Sequence, residues 1–144
     1  MKIVDLTPDR IDDSISLSIG SKPGFEQARE EKRRWLEARL PNKIGVKLAY
    51  NDGSLAGMIE YSPIEDTPFP IVGKHILHIH CIWVLPNYQK NGLGEELVKS
   101  VIQEARVRHR SGSPLSRMMV RSSCRSASSP ARGSDLLIVG DIRS

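Results

Sequence analysis

One stretch constrains this chain more than any other: His75 to Ala105, HILHIHCIWVLPNYQKNGLGEELVKSVIQEA. An apolar run ends at Pro86, a short polar loop follows, and Gly92-Leu93-Gly94 opens an amphipathic segment. Leu93, Leu97, Val101 and Ala105 recur every four residues, with Val98 and Ile102 widening the stripe, which predicts a helix with one buried face. Glu95 and Glu96 fall in its first turn, where carboxylates suit the positive end of the helix dipole, and Glu95 and Lys99 form a favourable i,i+4 pair. The upstream run is too short to cross a bilayer and stops at turn residues, so it reads as a buried strand. Strand, glycine-rich loop and helix start together suit anion binding. The free N–H groups of a helix N-terminus point outward, and glycine lets a phosphate come close to the backbone.

The full pattern is Val84-x-Pro86-x-Tyr88-Gln89-x-x-Gly92-x-Gly94. No Gly-Lys-Ser/Thr follows, so it is not a Walker A loop, and the three-glycine dinucleotide fingerprint is missing. The pattern resembles the acetyl-CoA signature of the GNAT (N-acetyltransferase) superfamily, Gln/Arg-x-x-Gly-x-Gly/Ala. The plain alternative is an ordinary strand-to-helix connection. The resemblance implies an α/β (α+β) fold with a mixed central sheet flanked by helices, acetyl-CoA as cosubstrate, and transfer of its acetyl group to a primary amine. It places the backbone of Ile82, Trp83 and Val84 against the pantetheine arm, as an added strand would pair. It places Gln89, Lys90, Asn91, Gly92, Leu93 and Gly94 around the pyrophosphate. Lys90 would add charge there; its alternative is a solvated lysine.

The chain up to Gly112 suits that fold. Lys2 to Leu6 reads as a strand, and Thr7-Pro8 starts a short helix spaced by Ile11, Ile15 and Ile19 and stopped by Gly20. Phe25 to Leu40 reads as a second, charged helix with Phe25, Ala28, Trp35, Leu36 and Leu40 on its apolar side. Trp35 is expected in the core, with a substrate contact as the alternative. Ile44 to Tyr50 and Leu55 to Tyr61 are strands joined by Asn51-Asp52-Gly53, a strong hairpin signal. Ser62 to Gly73 carries Pro63, Pro68, Pro70, Glu65 and Asp66 and reads as a loop. In the family such a loop overhangs the acceptor site; a plain connection is the alternative. His75 to Leu85 is expected as the central strand.

Acetyl transfer to an amine needs a held acyl carrier, a group that takes the amine's proton, and a proton for the departing thiolate. His78 and His80 alternate with Leu77, Ile79 and Cys81, so both are expected on one face of the central strand. Imidazole titrates near neutrality, which suits a general base. The His-x-His pair is similar to the pair in serotonin N-acetyltransferase; a hydrogen-bonded core histidine is the competing reading. Glu60 on the preceding strand is the other candidate base. A zinc site is not supported, because two His at i,i+2 lack evident further ligands. Cys81 as a nucleophile is set aside, since the family transfers directly. The family's general acid is a Tyr on its fourth helix, and no Tyr follows Tyr88 here.

After Gly112 the composition changes. Residues 113–133 are rich in Ser and Arg, with no helical or strand period, where the family would supply a fifth strand, a fourth helix and a closing hairpin. A disordered basic tail is one reading. The reading preferred on codon chemistry is a slipped frame. If the true frame begins one base earlier, Ser codons TCN derive from NTC, which encodes Phe, Leu, Ile or Val. Arg codons CGN derive from NCG, which encodes Ser, Pro, Thr or Ala. Back-translation of Ser113 to Ser134 then allows VAVITYDGPEFMPVGFFTRAGF, which resembles the fifth strand and fourth helix of the family. The expected organisation is therefore a core over 1–112 and an atypical, poorly ordered tail over 113–144, with Asp135 to Val139 its one strand-like run, free to pair with an exposed sheet edge.

Net charge is +4. The tail holds Arg117, Arg121, Arg125, Arg132 and Arg143 against Asp135 and Asp141, so the rest is nearly neutral and the basic balance says little about nucleic acid. An RNA-binding role is the weakest reading, because no aromatic platform accompanies these arginines. Two cysteines, Cys81 and Cys124, make no disulfide framework, and a reduced, cytoplasmic setting is expected, with no signal peptide or membrane span. A homodimer is compatible with this reading. Two functions from different classes follow: an acetyl-CoA-dependent N-acetyltransferase, intact or inactivated by its tail, or a non-catalytic CoA-binding or interaction remnant of the same fold. The acceptor is not legible, because loops build its pocket.

Overall fold

In the computed structural model the backbone is described except at Pro41, 68–72, 122–135 and 142–144; side chains are not described from Val120 onward. Asp52 and Gly53 adopt positive φ (51° and 81°), the pair of left-handed conformations a two-residue hairpin turn needs. They join β2 (Gly45–Asn51) to β3 (Ser54–Pro63). β1 (Lys2–Asp5) pairs with β2, and β4 (Ile76–Val84) pairs with β3, all antiparallel. β5 (Arg117–Arg121) lies parallel to β4, and β6 (Leu136–Asp141) closes the six-stranded sheet antiparallel to β5. A parallel neighbour needs a crossover, and α3 (Leu93–Arg110) supplies it.

Helices cover both faces. α3 buries Leu93, Leu97, Val101 and Ala105, the predicted stripe, against Ile59, Tyr61, Leu77 and Ile79. α1 (Ile11–Ser18) and α2 (Glu26–Arg39) cover the other face, packing Ile11, Ile15 and Leu36 against Leu48 and Met58. β4 is central, as expected, with β3 and β5 as its neighbours.

Four local expectations change. Phe25 is exposed, not part of the buried side of α2, of which only Leu36 is fully buried. The segment after Ser113, which shows no strand period, does form a strand: Met118 and Met119 are buried in β5. The strand-like run near the C-terminus does find a sheet edge, but that of β5, because β5 already occupies the edge of the central strand β4. Finally, Cys81 is in a disulfide and not a free thiol; the only other cysteine, Cys124, lies outside the described residues. The prolines of the Ser62 to Gly73 loop fall partly outside them as well.

A bulge in β4 shapes everything that follows. Tyr61 pairs with Ile79 and Glu60 with Cys81, so His80 has no partner position on β3. An extra residue in one strand resets its side-chain alternation. Upstream of the bulge, Leu77 and Ile79 pack toward α3; downstream, Cys81 and Trp83 pack toward α1 and α2, while Ile82 and Val84 turn toward α3.

Candidate active site

The β4–β5 ladder runs from Ile76↔Arg117 to Ile79↔Val120 and stops there. On its other side β4 continues to pair with β3 as far as Gly57↔Val84. The backbone of Ile82, Trp83 and Val84 therefore has no ladder partner on the β5 side among the described residues, and an extended chain could add there as a strand would. This edge leads straight to the start of α3. Gln89 Nε2 donates to the Val84 carbonyl at 2.9 Å and ties the loop back onto the strand. Gln89 thus serves as a brace for the loop expected around the pyrophosphate.

Gly92 caps α3 with φ 77° and no side-chain hydrogen bond, leaving the first-turn N–H groups open. Lys90 also has positive φ, 66°. A Cβ at Gly92 would meet nothing within 4 Å, so the space over the helix start is open to a ligand. Lys90, Asn91 and Gly92 are exposed, whereas Leu93 is buried and anchors the helix in the core.

Glu60, His78 and His80 are all buried, at 3%, 0% and 5% exposure. They converge on one face of the sheet, opposite Ile59, Tyr61, Leu77 and Ile79. The His78 and His80 rings lie 5.6 Å apart, centroid to centroid, and His80 Nδ1 faces Glu60 Oε2 at 3.6 Å. The expectation that both histidines share a face holds, because they alternate with Leu77 and Ile79, which pack toward α3; the bulge changes only the side taken by Cys81. Thr67 Oγ1 lies 2.9 Å from His78 Nδ1 at one end of the chain of polar groups. At the other, Lys32 Nζ of α2 lies 3.2 Å from Glu60 Oε2. A carboxylate this buried is costly without such a partner. Lys32 also sits 4.5 Å from the centroid of Trp35, with Arg39 at 4.9 Å from the same ring. Trp35 packs against the α1/α2 core, as expected.

Beyond Trp83 a cleft of about 350 Å³ opens between β4 and the α1–α2 connection, lined by Leu17, Ile19, Phe25, Trp83 and Leu85. Sequence reasoning missed Lys32, Thr67 and this cleft. Lys32 is 28 residues from Glu60 along the chain, and no periodicity links positions so far apart.

The acetyltransferase (GNAT) family model matches residues 13–113, and the chain belongs to that family of acyltransferases. The match ends where the composition changes. The chain is 29% identical over 106 residues to the uncharacterized N-acetyltransferase YoaP of Bacillus subtilis (strain 168), covering 74% of this chain and 41% of that protein. It thus spans less than half the length of that relative. An uncharacterized N-acetyltransferase of Archaeoglobus fulgidus is 28% identical over 118 residues, covering 76% of this chain and 77% of its own. Among solved structures, the aminoglycoside N-acetyltransferase AAC(6')-Iy in complex with CoA superposes with a TM-score of 0.63 at 19% identity, over 85% of this chain and 76% of that one. At that identity the likeness concerns the fold. Among the described residues no helix is long and apolar enough to cross a membrane.

Proposed function

We propose that this chain transfers the acetyl group of acetyl-CoA to a primary amine. The observation that carries the reading is the edge of β4 at Ile82–Val84, which has no ladder partner on the β5 side among the described residues and runs into the open N-terminus of α3. The edge can pair with the amide groups of pantetheine. The N–H groups around Gly92, Leu93 and Gly94, with Lys90 and Asn91 beside them, can receive the pyrophosphate. His78 and His80 of β4 and Glu60 of the neighbouring β3 lie on the α1/α2 side of the sheet, the side on which Trp83 and Leu85 line the cleft. In this reading the acceptor ammonium gives a proton to His80 or Glu60, and the neutral amine attacks the thioester carbonyl. The carbon–sulfur bond then breaks and the departing thiolate takes a proton. No Tyr follows Tyr88 to supply that last proton.

Calorimetric titration with acetyl-CoA, combined with a thiol-release assay over a panel of primary amines, tests the reading. Binding with amine-dependent thiol release is the expected result. Binding without release would favour the CoA-binding remnant, and absence of binding would overturn both. The slipped-frame reading of residues 113–144 adds a second test. Restoring the neighbouring frame after Gly112 is expected to raise turnover well above that of the chain as written. Full activity of the as-written chain, with strong hydrogen-exchange protection across 117–132, would show the tail to be native.

A further inference from the structure

Lys32 is the one charged member of the buried polar chain for which the mechanism above has no use. Its Nζ lies 3.2 Å from Glu60 Oε2, the oxygen that His80 Nδ1 faces. That is the position an acceptor amine must take if Glu60 or His80 is to remove its proton. The Trp35 ring at 4.5 Å supports a cation there. Unlike the Glu60 side chain, which is 4% exposed, that of Lys32 is 23% exposed, so it reaches the carboxylate from the solvent side of the cluster. The surface Lys99, 60% exposed and paired with Glu95 and Glu96 on its own helix, has no such surroundings.

Resting on the acetyltransferase reading, we propose that Lys32 is a self-acetylation site: an acceptor amine supplied by the chain itself. The ammonium of Lys32 loses a proton to Glu60, directly or through His80. Its nitrogen attacks the thioester carbonyl carbon, a nitrogen–carbon bond forms, and the carbon–sulfur bond breaks. The thiolate leaves and is protonated, so the products are CoA thiol and an uncharged acetyl-lysine, with no further reactant. Acetylation removes the cation that faces Glu60 and leaves the carboxylate with His80 as its remaining ionisable neighbour among those described. The modified enzyme should therefore show a different pH–rate profile from the unmodified one.

The test is incubation of the full chain with acetyl-CoA, followed by intact-mass measurement and peptide mapping. One acetyl group is expected on the peptide carrying Lys32, at a rate constant independent of protein concentration and faster than on Lys99. Glu60→Gln, checked for native circular dichroism, should slow it by about 100-fold, as loss of a general base does. Modification of Lys32 no faster than of Lys99, or unchanged in Glu60→Gln, would mean chemical acetylation and overturn the proposal. An unmodified Lys32 in a chain that binds acetyl-CoA and acetylates a supplied amine would overturn it and leave the acetyltransferase reading standing. A chain that does not bind acetyl-CoA would overturn both.

Discussion

The two faces of the sheet are built differently. Toward α3 the layer is apolar: Leu93, Leu97, Val101 and Ala105 meet Ile59, Tyr61, Leu77 and Ile79. Its polar groups stand at the margin, where the Tyr61 hydroxyl donates to Glu104 Oε2 and Lys47 and Arg108 pair with the same carboxylate. Toward α1 and α2 an apolar layer of Ile11, Ile15, Leu36, Leu48 and Met58 is interrupted by Glu60, His78 and His80. Burying polar groups is costly unless each finds partners. One face is given to stability and the other holds the buried titratable groups. α3 takes part in chemistry only through its N-terminus, where packing stops and free N–H groups begin.

Substitutions on the two faces should therefore separate. The largest effect is expected from Glu60→Gln or from His78→Gln combined with His80→Gln: turnover should fall by about 10²–10⁴-fold, the usual worth of general base catalysis. Stability should change little by comparison. If both histidines can be replaced without moving the acidic limb of the pH–rate profile, the base is Glu60.

Leu97→Ala tests the opposite face. Leu97 is fully buried against the sheet, and its truncation should cost about 2–5 kcal/mol in denaturant unfolding. Acetyl-CoA affinity at a temperature where the variant stays folded should be close to that of the parent. A variant that unfolds little but loses turnover would contradict the division.

Gly92→Trp probes the junction of the two. Acetyl-CoA affinity should weaken by roughly 100-fold or more, about 2.7 kcal/mol, because a side chain fills the space over the helix start. The fold should lose only about 1–2 kcal/mol for a non-glycine residue in the left-handed region. Unchanged affinity would make the loop purely structural.

The smallest effect belongs to Tyr61→Phe. Burial first, and then the hydrogen bond to Glu104, raise the Tyr61 hydroxyl above its ordinary pKa of 10.0. The folded state therefore holds the proton more tightly than the unfolded one. This contribution is fully present below pH 10 and is lost as pH rises above the unfolded value. Removing the hydroxyl should cost about 1 kcal/mol near neutrality and flatten the decline in stability above pH 10. An unaltered alkaline limb would show that another group controls it.

Much of this organisation was legible in the residues. The four-residue stripe of α3, the Asn51-Asp52-Gly53 turn and the strand–glycine–helix junction all rest on interactions between near neighbours, and near-neighbour chemistry is written in the order of residues. His78, His80 and Glu60 could be nominated for the same reason, since their types suit a proton acceptor. The sequence also marked the change of character after Gly112.

The tertiary structure decided which of these groups meet. The bulge at His80 depends on how β4 registers against β3, and it is this extra residue that turns Cys81 and Trp83 toward α1 and α2. The strand at Arg117–Arg121 forms beside β4 despite a weak local pattern, because an open edge next to a central strand supplies backbone partners that no local preference records. Lys32 reaches Glu60 only when α2 lies across the sheet. Phe25 reads as one more core position along its helix, yet it stands at the rim of the cleft, because its neighbours in space come from β4 and the α1–α2 connection. Local periodicity carries the elements; contacts between residues far apart in sequence depend on register and packing, and those are properties of the assembled sheet.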